Sequence, residues 1–83
     1  MIRLRYFASL REALGTGEEQ LELPGGVTTV AQLTAWLQTR GPDWQEALAD
    51  PCLHTALNQS VVRPGARVHD GDEVAWFPPV TGG

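Results

Sequence analysis

The residues with the clearest chemical potential are at the end of the chain, which closes with FPPVTGG over positions 77–83. Neither Gly82 nor Gly83 has a side chain, so the reactive group there is the α-carboxylate of Gly83. A carboxylate is a poor electrophile until it is activated, for example as an acyl-adenylate. Once activated, it can accept sulfur and become a thiocarboxylate, or it can transfer its acyl group to an amine. The sequence therefore predicts acyl chemistry at Gly83.

We expect residues 78–83 to form a flexible, extended tail that reaches into a partner's active site. Pro78 and Pro79 have no N–H to donate and a fixed φ, so a strand must end before them. The two prolines favour a stiff, extended exit of the chain from the sheet, ahead of the flexible glycines. Because glycine has no Cβ, a partner can close tightly around Gly82 and Gly83. Extended, the six residues span about 20 Å. The alternative is a frayed terminus without a function, as most chain ends are.

Two strands must position the base of this tail. MIRLRYFA at the start and EVAWF at 73–77 both alternate, which is typical of strands buried on one face. In the first strand, one face has Ile2, Leu4 and Tyr6, and the other has Arg3, Arg5 and Phe7. In the last strand, one face has Val74 and Trp76, and the other has Glu73, Ala75 and Phe77. If the strands are neighbours, Phe7 and Phe77 form one exposed apolar patch, and such patches often mark partner sites. The alternative is that the main helix or a loop covers both rings.

The main predicted helix is at 29–40. Thr29 and Gln32 make a capping box, and Gly41 is its stop. Its apolar stripe consists of Val30, Leu33 and Leu37, with Trp36 at the edge.

Shorter elements complete the chain. SLREAL is predicted as a helix of about two turns with a Ser9–Glu12 capping box and a stop at Gly15, and PDWQEALAD as a helical turn with an Asp43–Glu46 box. Further strands are predicted at 18–23, in LHTALNQ and in a brief VV.

This order of elements predicts an α+β roll, in which one main helix packs on a mixed sheet of four or five strands. A β-grasp arrangement fits the order, and by that analogy the first and last strands lie side by side in the centre of the sheet. We expect a domain at 1–77 followed by the tail at 78–83.

Composition excludes several classes of protein. The net charge is −4, and the basic residues are six arginines and no lysine, so a nucleic-acid partner is not expected. No apolar run approaches the ~20 residues of a membrane span, and no secretory signal is visible, so we expect a cytoplasmic protein. A single cysteine, Cys52, allows no internal disulfide.

Other reactive side chains lack the neighbours that chemistry needs. Cys52 has no second cysteine near it and is interpreted as a lone buried or edge residue. His54 and His69 are not accompanied by ligands at zinc spacing, so no metal site is predicted. Ser9 and Ser60 have no histidine in view that could activate them.

Three segments resemble the small subunits of molybdopterin synthase, the sulfur carriers of molybdenum cofactor biosynthesis. They are RYFASLREALGT, ALNQSVV and DGDEVAWFPPVTGG, which span the chain nearly end to end. A terminal Gly-Gly is common to ubiquitin-like proteins, but FPPVTGG after an EVA strand is far more specific. The resemblance implies a ubiquitin-like β-grasp fold.

The same resemblance implies a mechanism. A ubiquitin-activating-like adenylyltransferase adenylates Gly83 with ATP, and a sulfur donor protein converts the adenylate to a thiocarboxylate. The carrier then docks on the large synthase subunit and gives sulfur to cyclic pyranopterin monophosphate, forming the molybdopterin dithiolene. The large subunit would supply the catalytic groups in a heterotetramer. This chain is expected to bind no cofactor and to be no enzyme on its own.

The expected partner-binding residues follow from the patch, the tail and the resemblance. Val61 matches a family position that joins the patch. Arg11 could pair with an acidic partner, although such an arginine is more often a solvated helix residue. The full set is Phe7, Arg11, Val61, Phe77, Pro78, Pro79, Val80, Thr81 and Gly82.

Three alternatives remain. The first is a sulfur carrier for thiamin biosynthesis, which shares the tail chemistry. The second is a ubiquitin-like modifier that forms amide bonds to proteins, although without lysine it could not be linked to copies of itself through a lysine side chain. The third is a plain binding module.

Overall fold

The structure is a computed structural model that describes residues 1–79. Its elements in chain order are β1 (Ile2–Tyr6), α1 (Ser9–Leu14), β2 (Glu18–Leu21), α2 (Val30–Gln38), α3 (Pro42–Ala47), β3 (His54–Leu57), β4 (Ser60–Val62) and β5 (Glu73–Phe77). The strands form one mixed sheet in the order β2-β1-β5-β3-β4. Only the central pair β1–β5 is parallel among the pairs described. The predicted α+β roll with one main helix is confirmed, as is the adjacency of the first and last strands.

The core lies between the sheet and the helices. The alternation in β1 and β5 places one side of each strand there, and the stripe of α2 covers it. The largest fully buried side chains are Ile2, Leu4, Tyr6, Val30, Leu33, Leu37, Val74 and Trp76. Burial of each such side chain contributes about 1.5–3 kcal/mol relative to exposure.

The start of α2 confirms its predicted capping box. Thr29 is the N-cap, its hydroxyl accepts from the Gln32 N–H at 3.2 Å, and the Gln32 side chain accepts from the Thr29 N–H at 3.2 Å. The helix ends at Gln38 rather than at 40, because Thr39 forms the C-cap. Gly41, predicted as the stop, is instead the N-cap of α3.

The capping boxes predicted for the two short helices are wrong. Ala8 is the N-cap of α1, with φ 55° and ψ −129°, and no side chain caps the helix. Ser9 therefore lies inside the first turn, because the backbone turns at Ala8 as soon as β1 ends. In α3, Pro42 is the first helical residue, where its missing N–H costs nothing, and Asp43 follows it. Gly15 is the left-handed C-cap of α1, as predicted, with φ 74°.

β2 pairs antiparallel with β1 and is shorter than the predicted 18–23. Ile2 is opposite Leu21, so β1 has no residue left to pair beyond that position. On the other side of the sheet, β3 and β4 form a hairpin. Its turn residues Asn58 and Gln59 have φ of 50° and 71°, the pair of positive values that matches the twist of two-residue hairpins.

Within residues 1–79, none of the helices has the length and apolar character needed to cross a membrane.

Candidate functional site

The register of the sheet brings the predicted patch residues to one region of its outer face, the face turned away from the core. Arg5 is opposite Ala75, Ala75 is opposite Ala56, and Ala56 is opposite Val61. These residues form one row across four strands. Each of the two central alanines ends in a single methyl group, so the surface along this row is recessed in the middle.

Phe7 and Phe77 continue the outer face beyond that row. Tyr6 pairs with Trp76, and the Phe7 N–H donates to the Trp76 carbonyl at 3.2 Å, so the chain at Phe7 still runs beside β5. Phe7 is 37% exposed and Val61 68% exposed, whereas Phe77 is half-buried. We call Phe7, Val61 and Phe77 the aromatic patch.

Charged and aromatic side chains border the aromatic patch. The exposed His54 ring stacks on Phe77 with centroids 5.5 Å apart and planes at 26°. The Arg5 guanidinium lies 5.1 Å from the centre of the Phe7 ring, within cation–π range. Glu73 lies 3.8 Å from Arg3 and 4.0 Å from Arg5, and such loose, partly exposed pairs contribute little stability.

Arg11 is exposed on α1 and lies near the aromatic patch. With Arg5, Phe7 and Thr16 it lines a depression of about 370 Å³. Its guanidinium packs against Gly17, where an added Cβ would come within 2.9 Å of the Arg11 Nε. The structure therefore brings Arg11 and Phe7 to one place.

The base of the predicted tail is at the end of β5. Pro78 and Pro79 are half-buried and follow the last strand residue, Phe77, directly. The other predicted tail residues, Val80, Thr81, Gly82 and Gly83, lie outside the described residues.

The opposite side of the same strands is held by a network that the sequence did not predict. Tyr6 donates from its hydroxyl to Glu19 at 3.0 Å, and Arg40 makes two hydrogen bonds to Glu19 at 2.8 and 2.9 Å. The Arg40 guanidinium lies over the rings of Trp36 and Trp44, 5.1 and 4.7 Å from their centres. Glu19 and Arg40 are 21 positions apart, a separation at which the sequence carries no local signal.

This network shifts the ionisation of its members. Burial, with Glu19 beside it, raises the pKa of Tyr6 well above its usual value. Burial alone would raise the pKa of Glu19, but the hydrogen bonds from Arg40 and Tyr6 outweigh it and leave the pKa lowered. The hydrogen bond to Glu19 raises the pKa of Arg40. Glu19 is thus kept as a carboxylate and Tyr6 as a neutral donor.

Cys52 and His69, two other side chains considered for chemistry, lie at separate places on the surface. Cys52 is exposed in a turn, not buried, and its N–H donates to the Asp50 carboxylate at 2.9 Å. His69 is exposed in the loop before β5, where its N–H donates to Asp72 at 2.8 Å. Within residues 1–79, no three histidine, cysteine or acidic side chains are placed to hold a metal ion.

The chain has relatives along its whole length. The profile of the ThiS family matches residues 4–83. The molybdopterin synthase sulfur carrier subunit of Escherichia coli K12 is 41% identical over 83 residues, and the alignment covers 100% of both chains.

Two solved structures have the same fold. SAMP1 from Haloferax volcanii, a small archaeal modifier protein, has a TM-score of 0.77 at 25% identity, covering 99% of this chain and 98% of its own. A putative molybdopterin converting factor subunit 1 from Pyrococcus furiosus has a TM-score of 0.76 at 30% identity, and the match covers 95% of this chain and 97% of the Pyrococcus chain. These likenesses confirm the predicted ubiquitin-like β-grasp fold. The chain therefore belongs to the ThiS family, within which its full-length curated relatives are sulfur carrier subunits of molybdopterin synthase.

Proposed function

We propose that this protein is the sulfur carrier subunit of a molybdopterin synthase. The observation that carries the proposal is the alignment with the E. coli sulfur carrier subunit, which includes every residue of both chains at 41% identity. The reactive group is the carboxylate of Gly83. A separate adenylyltransferase attaches AMP from ATP to it and releases pyrophosphate, and a sulfur donor protein displaces the AMP and leaves a thiocarboxylate.

The transfer of sulfur to the substrate takes place on the large synthase subunit. The aromatic patch docks on that subunit, so that the chain beyond Pro78 and Pro79 enters its active site. There the thiocarboxylate gives its sulfur to cyclic pyranopterin monophosphate, with two carriers and two large subunits in the assembly. The support from the structure is that β1 and β5 are neighbours, which places Phe7 and Phe77 together where the strand ends.

The mass of the native protein tests the chemistry. The intact chain from its own organism is expected to contain a form heavier by the difference between sulfur and oxygen, located on Gly83. Deletion of Gly83 is expected to abolish sulfur transfer in a reconstituted synthase. The thermal melt should remain unchanged, because Gly83 has no side chain and follows the last strand by six positions. Sulfur transfer by the shortened chain would disprove the proposal.

A second function is favoured by the likeness to the small archaeal modifier protein, which covers 99% of this chain. In that case the activated Gly83 would form amide bonds with other proteins. The two functions differ in their products: conjugation gives protein adducts that resist thiol reagents, and sulfur transfer gives none. A thiamin-type carrier would instead copurify with a thiazole-forming enzyme.

A further inference from the structure

A groove between α1 and α3 runs to the base of the tail. Its volume is about 430 Å³, and Pro78 forms part of its wall. Leu10, Ala47 and Leu53 provide apolar surface in it, and all three belong to the core or pack against it. A partner that receives the chain beyond Pro78 must therefore pass close to this groove.

The rim of the groove is acidic. Asp43, Glu46 and Asp50 line it and are exposed, and no ion pair involves any of them within residues 1–79. Asp43 and Glu46 are three positions apart on α3, so they project on the same side of the helix. The arginine of α1, Arg11, packs against Gly17 and does not line the groove.

An apolar base with an acidic rim matches one kind of side chain. Lysine and arginine lay their aliphatic stems on apolar surface and keep the charged end at a polar rim. We propose that the groove receives a lysine or arginine of the large synthase subunit when that subunit takes up the tail. This inference rests on the proposed function and adds a second contact surface to it.

Two surfaces of different character then flank the exit of the tail. The aromatic patch ends at Phe77, and the groove begins at Pro78. Apolar contact alone tolerates several orientations of a partner, whereas charge pairs fix the register and accelerate association. The groove therefore sets the direction in which the tail enters the partner.

The test is calorimetric titration of the full chain with the purified large subunit from the same organism, at low salt and at about 0.15 M salt. The groove variant is Asp43→Asn with Glu46→Gln, and the matched control is Glu12→Gln with Glu22→Gln. Each removes two negative charges, and the control residues do not line the groove. We expect the groove variant to bind about threefold to tenfold more weakly than the unaltered chain at low salt. This loss of affinity should be smaller at the higher salt concentration, because salt screens the charges. The control should bind like the unaltered chain.

A second variant, Glu46→Lys, should bind still more weakly, with a melt that shows the domain to be folded. Equal affinity of the groove variant and the unaltered chain would overturn the inference. An equal loss in the groove and control variants would also overturn it, because the effect would then be net charge. If the unaltered chain does not bind the large subunit at all, the proposed function itself fails.

Discussion

The two central strands carry aromatic residues side by side that have opposite environments. Tyr6 and Trp76 are 1% and 0% exposed, and their rings stack with centroids 5.6 Å apart. The next residues along each strand, Phe7 and Phe77, point to the outer face, where Phe7 is 37% exposed and Phe77 half-buried. A shift of one position in a strand thus separates residues that hold the fold from residues that are free to bind.

The polar atoms of the two regions show the same division. Inside, the Tyr6 hydroxyl donates to Glu19 and the Trp76 indole N–H donates to Thr34, both at 3.0 Å. Outside, the side chains of both phenylalanines have no polar atoms that would need partners. Buried polar groups without hydrogen bonds are costly, so the inner pair is tied to specific neighbours and the outer pair is not. Substitutions in the two regions should therefore affect different properties.

The largest expected effect is on stability, from Trp76→Ala. It removes a fully buried indole and its hydrogen bond, and we expect the free energy of unfolding to fall by about 3–5 kcal/mol. Urea denaturation followed by circular dichroism measures this loss. Phe77→Ala is the matched control and should cost about 1 kcal/mol or less. Similar losses for the two variants would remove the distinction between the inner and outer regions.

Phe77→Asp should have the opposite effect to Trp76→Ala, weakening partner binding while leaving the stability of the domain unchanged. We expect its affinity for the large synthase subunit to fall about tenfold to a hundredfold, because a carboxylate would be desolvated in an apolar contact. Its melting temperature should stay near that of the unaltered chain. Ala35→Asp adds the same charge on the exposed side of α2 and should bind normally. An unfolded Phe77→Asp variant would show that this ring belongs to the core.

The elements predicted well from the sequence are those set by local patterns. Alternation identified the faces of β1 and β5, and the stripe and capping box identified α2, since neighbouring residues determine both. The caps of α1 and α3 were mispredicted for different reasons. At α1 the backbone turns at Ala8, directly after β1, so Ser9 already lies inside the helix although alanine is a poor N-cap residue. At α3, Gly41 and Pro42 fit the N-cap and first helical position before Asp43 is reached.

The contacts between distant residues could not be predicted in this way. No local pattern indicates that Arg40 binds Glu19 or lies over two indole rings. The predicted adjacency of β1 and β5 came from the analogy to a known fold, because the paired residues are about seventy positions apart, as in Arg3 opposite Glu73. The aromatic patch was predictable only once that pairing was assumed.

The inner network also gives the smallest expected effect, which depends on pH. Glu19→Gln removes the charge that Arg40 and Tyr6 bind, and should cost about 1 kcal/mol at pH 7, since an amide still accepts hydrogen bonds. The pKa of Glu19 is lowered in the folded protein, so its contribution is complete above the unfolded value of about 4.3 and is lost as the pH falls through the folded value. The difference in urea midpoint between the unaltered chain and Glu19→Gln should therefore shrink between pH 5 and pH 3. Glu22→Gln, at an exposed position, should show no such trend. A difference that stayed constant with pH would mean that the network acts through its shape and not through the charge of Glu19.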